Sequence, residues 1–126
     1  MRLLLDTHAL IWWVEDSPLL SETARAAIAD NEVLVSAASA WEVATKFRLG
    51  KLPSAERMAL AFSAEVAAEG FMALPVTLDH AALAGSLDIP HKDPFDRLLV
   101  AQARLERVPL VSNERLFDEF GVERVW

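Results

Sequence analysis

Arg2-Leu3-Leu4-Leu5-Asp6-Thr7 opens the chain with a short, uninterrupted apolar run that ends abruptly on an acid and a hydroxyl. A run this short, apolar on both faces, reads as a strand buried from both sides, the pattern of a parallel sheet. Asp6 then stands at the carboxyl end of that strand, where open parallel sheets gather their ligands. It is equally suited to cap a helix over 7–14.

Working outward, Val33-Leu34-Val35 and Val108-Pro109-Leu110-Val111 repeat the strand pattern, and Phe71-Met72-Ala73-Leu74 gives another strand stopped by Pro75. Helical stretches lie between them. Ser21 opens one that runs to Ala29, and Ala37–Leu49 is closed by Gly50 with Lys46 and Arg48 in its last turn. Ser54 follows Pro53 and caps a helix expected over Ala55–Glu69, and Asp79 opens a short one to Ser86. Asp93-Pro94-Phe95-Asp96 has an acid at the N-cap, Pro at the first helical position and an acid at the third, so a helix should run to about Arg107. Leu98, Leu99, Ala101, Ala103 and Leu105 are expected on its apolar face. Strands alternating with helices favour an α/β domain with a mainly parallel central sheet covered on both sides, and 126 residues suit one such domain, 1–126.

Composition narrows the chemistry. With no cysteine there is no disulfide, thiolate zinc site or cysteine nucleophile, which leaves carboxylate, histidine and hydroxyl chemistry. The formal charge of −7 argues against broad electrostatic binding of nucleic acid, so any such role must be local. No apolar stretch is long enough to span a bilayer, and Asp6 interrupts the first one too early for a signal peptide, so a cytoplasmic protein with no membrane partner is expected. The four glycines form no phosphate-binding loop, and His8, His80 and His91 are not spaced as a zinc motif; only His8 lies near the strand-end acids.

The candidate chemistry therefore rests on acids. Glu42 sits in the apolar stretch Ala37–Ala44, where a buried carboxylate needs a cation or hydrogen-bond partner; the plain alternative is an exposed residue paired with Lys46 at i+4. Asp93 and Asp96 have a helix-start explanation, and Glu114, just beyond Leu110-Val111, suits a first helical turn. Taken together, acids at strand ends and helix starts make an oxygen-rich pocket of the kind Mg²⁺ or Mn²⁺ prefers, and such ions suit phosphodiester hydrolysis. Lys46, Arg48 and Lys51, with Lys92 and Arg97, supply cations that are either solvated surface charge or a phosphate-guiding rim. Trp12, Trp13 and Trp41 are core or interface residues before they are base-stacking platforms, although one of the adjacent pair is free to face a partner.

Leu5-Asp6-Thr7-His8, Ser36-Ala37-Ala38-Ser39-Ala40-Trp41-Glu42, Leu49-Gly50-Lys51-Leu52, His91-Lys92-Asp93-Pro94-Phe95-Asp96-Arg97 and Leu110-Val111-Ser112-Asn113-Glu114 together resemble the PIN-domain family. Within it they are most similar to the VapC-type toxins of bacterial toxin–antitoxin pairs. The resemblance implies a three-layer α/β/α domain, Mg²⁺- or Mn²⁺-dependent endoribonuclease activity, a homodimer and a VapB-type antitoxin partner. By position it makes Asp6, Glu42 and Asp96 core acids, with Asp93 an added member of the catalytic pocket. Glu114 stands where the family usually has Asp, one methylene longer, and is the weaker metal-ligand candidate. Thr7, Arg97, Ser112 and Asn113 are the candidates for substrate contact. Two other classes compete: a catalytically degenerate PIN module that binds protein or RNA, and a phospho-accepting receiver, which would need a late lysine that this chain lacks beyond Lys92.

Overall fold

A computed structural model describes residues 1–126. Strands β1 (Arg2–Leu5), β2 (Glu32–Ser36), β3 (Met72–Leu74), β4 (Leu110–Val111) and β5 (Arg124–Val125) form one sheet in the order β3-β2-β1-β4-β5, with every pairing parallel. The chain steps outward from β1 through β2 to β3, then crosses back to lay β4 on the other side of β1. The crevice between β1 and β4, where the winding reverses, is the place such a sheet offers a ligand.

Leu3, Leu4 and Leu5 are all essentially inaccessible, as their unbroken apolar run predicts. Alternation sends them to two cores. Leu3 and Leu5 pack with Val33 and Val35 beneath α1 (Thr7–Val14), α2 (Glu22–Asp30), α4 (Glu56–Leu60) and α5 (Phe62–Ala68). Leu4, Leu34 and Leu110 face α6 (Leu78–Ser86) and α7 (Pro94–Glu106) on the opposite side. The result is a three-layer α/β/α arrangement, with α3 (Ala37–Arg48) leaving β2 directly and packing against α1, α4 and α7. No helix is long and apolar enough to cross a membrane.

Four expectations need correction. The helix read over Ala55–Glu69 is two, because Ala61 leaves helical geometry at φ −141°, ψ 44°; each half then turns one residue, Met58 or Val66, into the core. Ser54 lies within a 3-10 turn over Pro53–Ala55 and makes no side-chain cap. The cap of α6 is Thr77, not Asp79: its hydroxyl accepts from the His80 amide while its own amide donates to His80 Nδ1, a reciprocal capping box. On α7, Leu105 is exposed and Gln102 is completely buried, so the helix inserts a polar side chain where an apolar face was expected. The two-residue β5 was not foreseen; Leu110 and Ser112 amides donate to the Glu123 and Val125 carbonyls and pin it to the sheet edge.

Candidate active site

Four segments supply the site. Asp6 ends β1 and caps α1, accepting from the Ala9 amide at 2.7 Å, while its own amide donates to the Val111 carbonyl across the crevice. Ser112, Asn113 and Glu114 leave β4 on the far side of the same crevice, with the Ser112 hydroxyl buried and the other two exposed. Asp93 caps α7 by accepting from the Phe95 and Asp96 amides, which fixes Asp96 in the first turn. Glu42 reaches the same place from the second turn of α3, whose N-cap Ser36 is the last residue of β2.

Asp6, Thr7, His8, Glu42, Lys46, Asp93, Asp96, Asn113, Glu114 and Phe117 line one cavity of about 140 Å³. All but Phe117 are polar, and five are acids. A roomier groove of about 420 Å³, bounded by Val35, Ala40, Phe62, Val66, Phe71 and Leu74, has no ionisable side chain on its walls. Chemistry rather than volume therefore selects the acidic cavity. Asp6, Glu42, Asp93, Asp96 and Glu114, the acids singled out in the sequence, all face it, as do Thr7 and Asn113.

Each buried carboxylate has a local partner. Glu42, almost wholly inaccessible, accepts from the Thr7 hydroxyl on one oxygen and from Lys46 Nζ on the other, both at 2.5 Å. The Thr7 hydroxyl also lies 3.0 Å from Ser39 Oγ. Glu42 is buried rather than exposed, and of the plain alternative only the i+4 partner Lys46 survives. Asp96 Oδ2 lies 2.7 Å from His91 Nε2, so the histidine beside the acids is His91 as well as the exposed His8.

The acids strain against one another. Burial pushes the Asp96 carboxyl up to about 6, the Asp93 and Glu42 charges adding to the rise and the His91 contact opposing it. Burial also raises Asp6, against the Ser112 hydroxyl, the Ala9 amide and His8, with the Glu42 charge reinforcing burial. Partial burial works to lower Lys46, but its hydrogen bond to Glu42 and the field of Glu42, Asp93 and Asp96 hold it above the ordinary lysine value. A hard divalent cation is the group such oxygen donors fit. As the side chains stand, no three acids or histidines close on a single point to coordinate one, because Glu42 is tied to Lys46 and Asp96 to His91.

Arg97, a candidate for substrate contact, does not line the acidic cavity. Its guanidinium donates to the carbonyls of Ala84, Leu87, Ile89 and His91, which commits it to holding the loop between α6 and α7. Of the tryptophans, Trp12 packs on Trp126, and Trp13 packs on Phe71 and donates to Glu69. Trp41 is the exposed one, edge-on to Phe95 at 4.7 Å between centroids.

Comparison with known proteins agrees with this architecture. The PIN-domain profile matches residues 3–123. Ribonuclease VapC22 of Mycobacterium tuberculosis is 33% identical over 117 residues, covering 89% of this chain and 86% of the relative. The crystal structure of M. tuberculosis VapC20, described as a sarcin–ricin loop cleaving toxin, superposes with a TM-score of 0.71 at 18% identity over 95% of each chain. A DNA-bound VapBC complex from Salmonella typhimurium gives 0.71 at 17% identity over 98% of this chain and 96% of its own. The β1–β4 crevice, its strand-end acids and the match over nearly the whole length lead to one assignment: the chain belongs to the PIN-domain family, in its VapC-type branch.

Proposed function

We propose that residues 1–126 form a single nuclease domain that hydrolyses RNA phosphodiester bonds with Mg²⁺ or Mn²⁺, acting in the cytoplasm as the toxin of a toxin–antitoxin pair. The observation that carries this reading is the one cavity lined by Asp6, Glu42, Asp93, Asp96 and Glu114, brought together from the ends of β1 and β4, from α3 and from the start of α7. Kinship with VapC22, a ribonuclease, supports RNA as substrate, and likeness to the VapBC complex supports a VapB-type antitoxin; a homodimer is proposed from the family resemblance alone.

In this reading Asp6 and Asp96 are the principal oxygen donors to the ion, with Glu42 and Asp93 beside them and Glu114 at the rim. When bound, the ion supplies Lewis-acid stabilisation of the phosphodiester and a more acidic water. The chain's own residues do the positioning. Thr7 orients Glu42, the Phe95 and Asp96 amides hold Asp93, and the Ala9 amide holds Asp6. Thr7 and Asn113, which line the cavity, are the candidates for contact with RNA, while the wholly buried Ser112 accepts from the Glu114 amide and supports that rim. Hydrolysis adds water oxygen to phosphorus, breaks one P–O ester bond and passes the proton to the departing oxygen. Partial burial of the acids keeps bulk water from competing with these contacts.

The test is cleavage of RNA by purified, antitoxin-free protein with added Mg²⁺ or Mn²⁺. Asp6→Asn and Asp96→Asn should each lower the rate by about a hundredfold or more; wild-type rates in both variants would overturn the assignment. A second reading, a catalytically degenerate PIN module, draws on the absence of any three acids already converged on one point. Retained antitoxin binding with no Mn²⁺ uptake in calorimetry would favour it.

A further inference from the structure

Lys46 lies one helical turn beyond Glu42 on α3 and places its ammonium inside the acidic cavity rather than on the outer face of the helix. The pair is unlike an ordinary surface i,i+4 bridge. The Glu42 side chain is only 4% exposed, and with Thr7 on its other oxygen its carboxylate has no oxygen left without a partner. Asp93 and Asp96 line the same cavity, so the ammonium sits in the combined field of three acids. This cation is where a divalent ion would need to be to draw on Glu42, and the two cannot share that space without strong repulsion.

We propose that Lys46 is a resident counter-cation of the site, which neutralises Glu42 while the site is empty of metal and must be displaced from it before the divalent ion is held. The inference rests on the divalent-cation reading above and adds a regulatory consequence. Lys46 keeps the metal-free protein folded by pairing a buried charge, and it sets the metal concentration at which the site loads. Without it, a buried glutamate would face two further acids unpaired, which favours tighter ion capture at the expense of the metal-free fold.

Calorimetric titration of MnCl₂ into antitoxin-free protein tests this by binding alone. Lys46→Met should bind Mn²⁺ roughly tenfold tighter than wild type, with a melting temperature that is lower without metal and recovers at saturating Mn²⁺. Lys46→Gln, which keeps a hydrogen bond to Glu42 without the charge, should show the same gain and covers the case in which the Met variant does not fold. In a Glu42→Gln background the gain from Lys46→Met should shrink, since the carboxylate over which the two cations compete is gone. Equal or weaker Mn²⁺ binding by folded Lys46→Met or Lys46→Gln, with normal binding by wild type, overturns the inference and leaves the nuclease reading standing. Absence of Mn²⁺ binding from wild type and both variants overturns the reading and the inference with it.

Discussion

Ser36 at the end of β2 and Gln102 on α7, 66 residues apart, share a hydrogen bond of 2.5 Å with neither side chain reached by solvent. Ser36 also accepts from the Ala38 amide as the N-cap of α3. Gln102 donates on its other side to the Pro75 carbonyl and lies 3.3 Å from His80 Nδ1. The Thr77 amide donates to that same Nδ1, so the His80 ring carries its proton on Nε2 and presents it to Glu106 at 3.0 Å. One buried amide thus ties the helix that carries Glu42 to the helix that carries Asp96. Gln102→Leu should cost about 2–4 kcal/mol, because it strands the Pro75 carbonyl and unties Ser36. Urea denaturation should show this as a lower midpoint at unchanged slope; a loss below about 0.5 kcal/mol would mean the network contributes little.

Arg97 holds four carbonyls with one planar group, and a lysine ammonium cannot reproduce that fork. Arg97→Lys should therefore destabilise the protein by about 2–3 kcal/mol and speed amide exchange in the 87–92 segment that brings His91 to Asp96. A residue that only touched RNA would instead raise KM with stability and exchange unchanged, so melting and exchange measured beside KM separate the two roles.

The central architecture was legible because its signals are local and strong. Leu3-Leu4-Leu5, short and apolar at every position, favours a strand buried on both faces, and Asp93-Pro94 favours a helix start. What escaped the sequence depends on tertiary contact. Ala61 is a good helix former, so nothing in its own propensity announces the break between α4 and α5. Gln102 looks like a surface residue until Ser36, Pro75 and His80 supply its partners. Arg124-Val125 is too short to carry a period and becomes a strand only by pairing with β4. In the site, the acids were legible as residue types at strand ends and helix starts. The Lys46 partner of Glu42 was legible too, from its i+4 spacing, whereas the His91 contact to Asp96 was not, since it depends on how the α6–α7 loop is aimed.

The raised Asp96 carboxyl carries a signed pH dependence. Its ordinary value is 3.8 and its folded value about 6, so between these the folded metal-free protein holds a proton that the unfolded chain has released. Stability should therefore fall as pH rises from about 4 to about 6, by at most ~3 kcal/mol and by about 1–2 once screening of the quarter-exposed side chain is allowed for. Asp6, also raised, acts in the same direction. In Asp96→Asn the fall should be smaller, and Mn²⁺ should bind wild type more weakly below about pH 6, where a proton must leave first. Melting temperatures of metal-free wild type and Asp96→Asn across this range check the slope; a rise in the wild-type advantage with pH would contradict it.

Glu114 separates a direct ligand from a rim residue. It is exposed, its Oε1 accepts from the Leu116 amide at 3.3 Å, and it caps the 3-10 turn over Arg115–Glu119. Removing that cap should cost no more than about 1 kcal/mol, so Glu114→Gln, which keeps an acceptor, should leave the melting temperature nearly unchanged. Its effect on cleavage then reports on chemistry rather than folding. A carboxylate that touches the ion through water gives a loss of about tenfold, well short of that for Asp6→Asn, whereas a direct ligand gives a loss of the same order as Asp6→Asn. The exposure of Glu114 and its use as a cap favour the smaller effect. Glu114→Asp keeps the charge and shortens the reach by one methylene, so it should cleave at least as well as Glu114→Gln. An aspartate variant slower than the glutamine one would mean that length, not charge, governs this position. Rates for the three proteins at several Mn²⁺ concentrations decide the matter, because a lost ligand shifts the metal requirement while a lost water contact lowers the maximal rate.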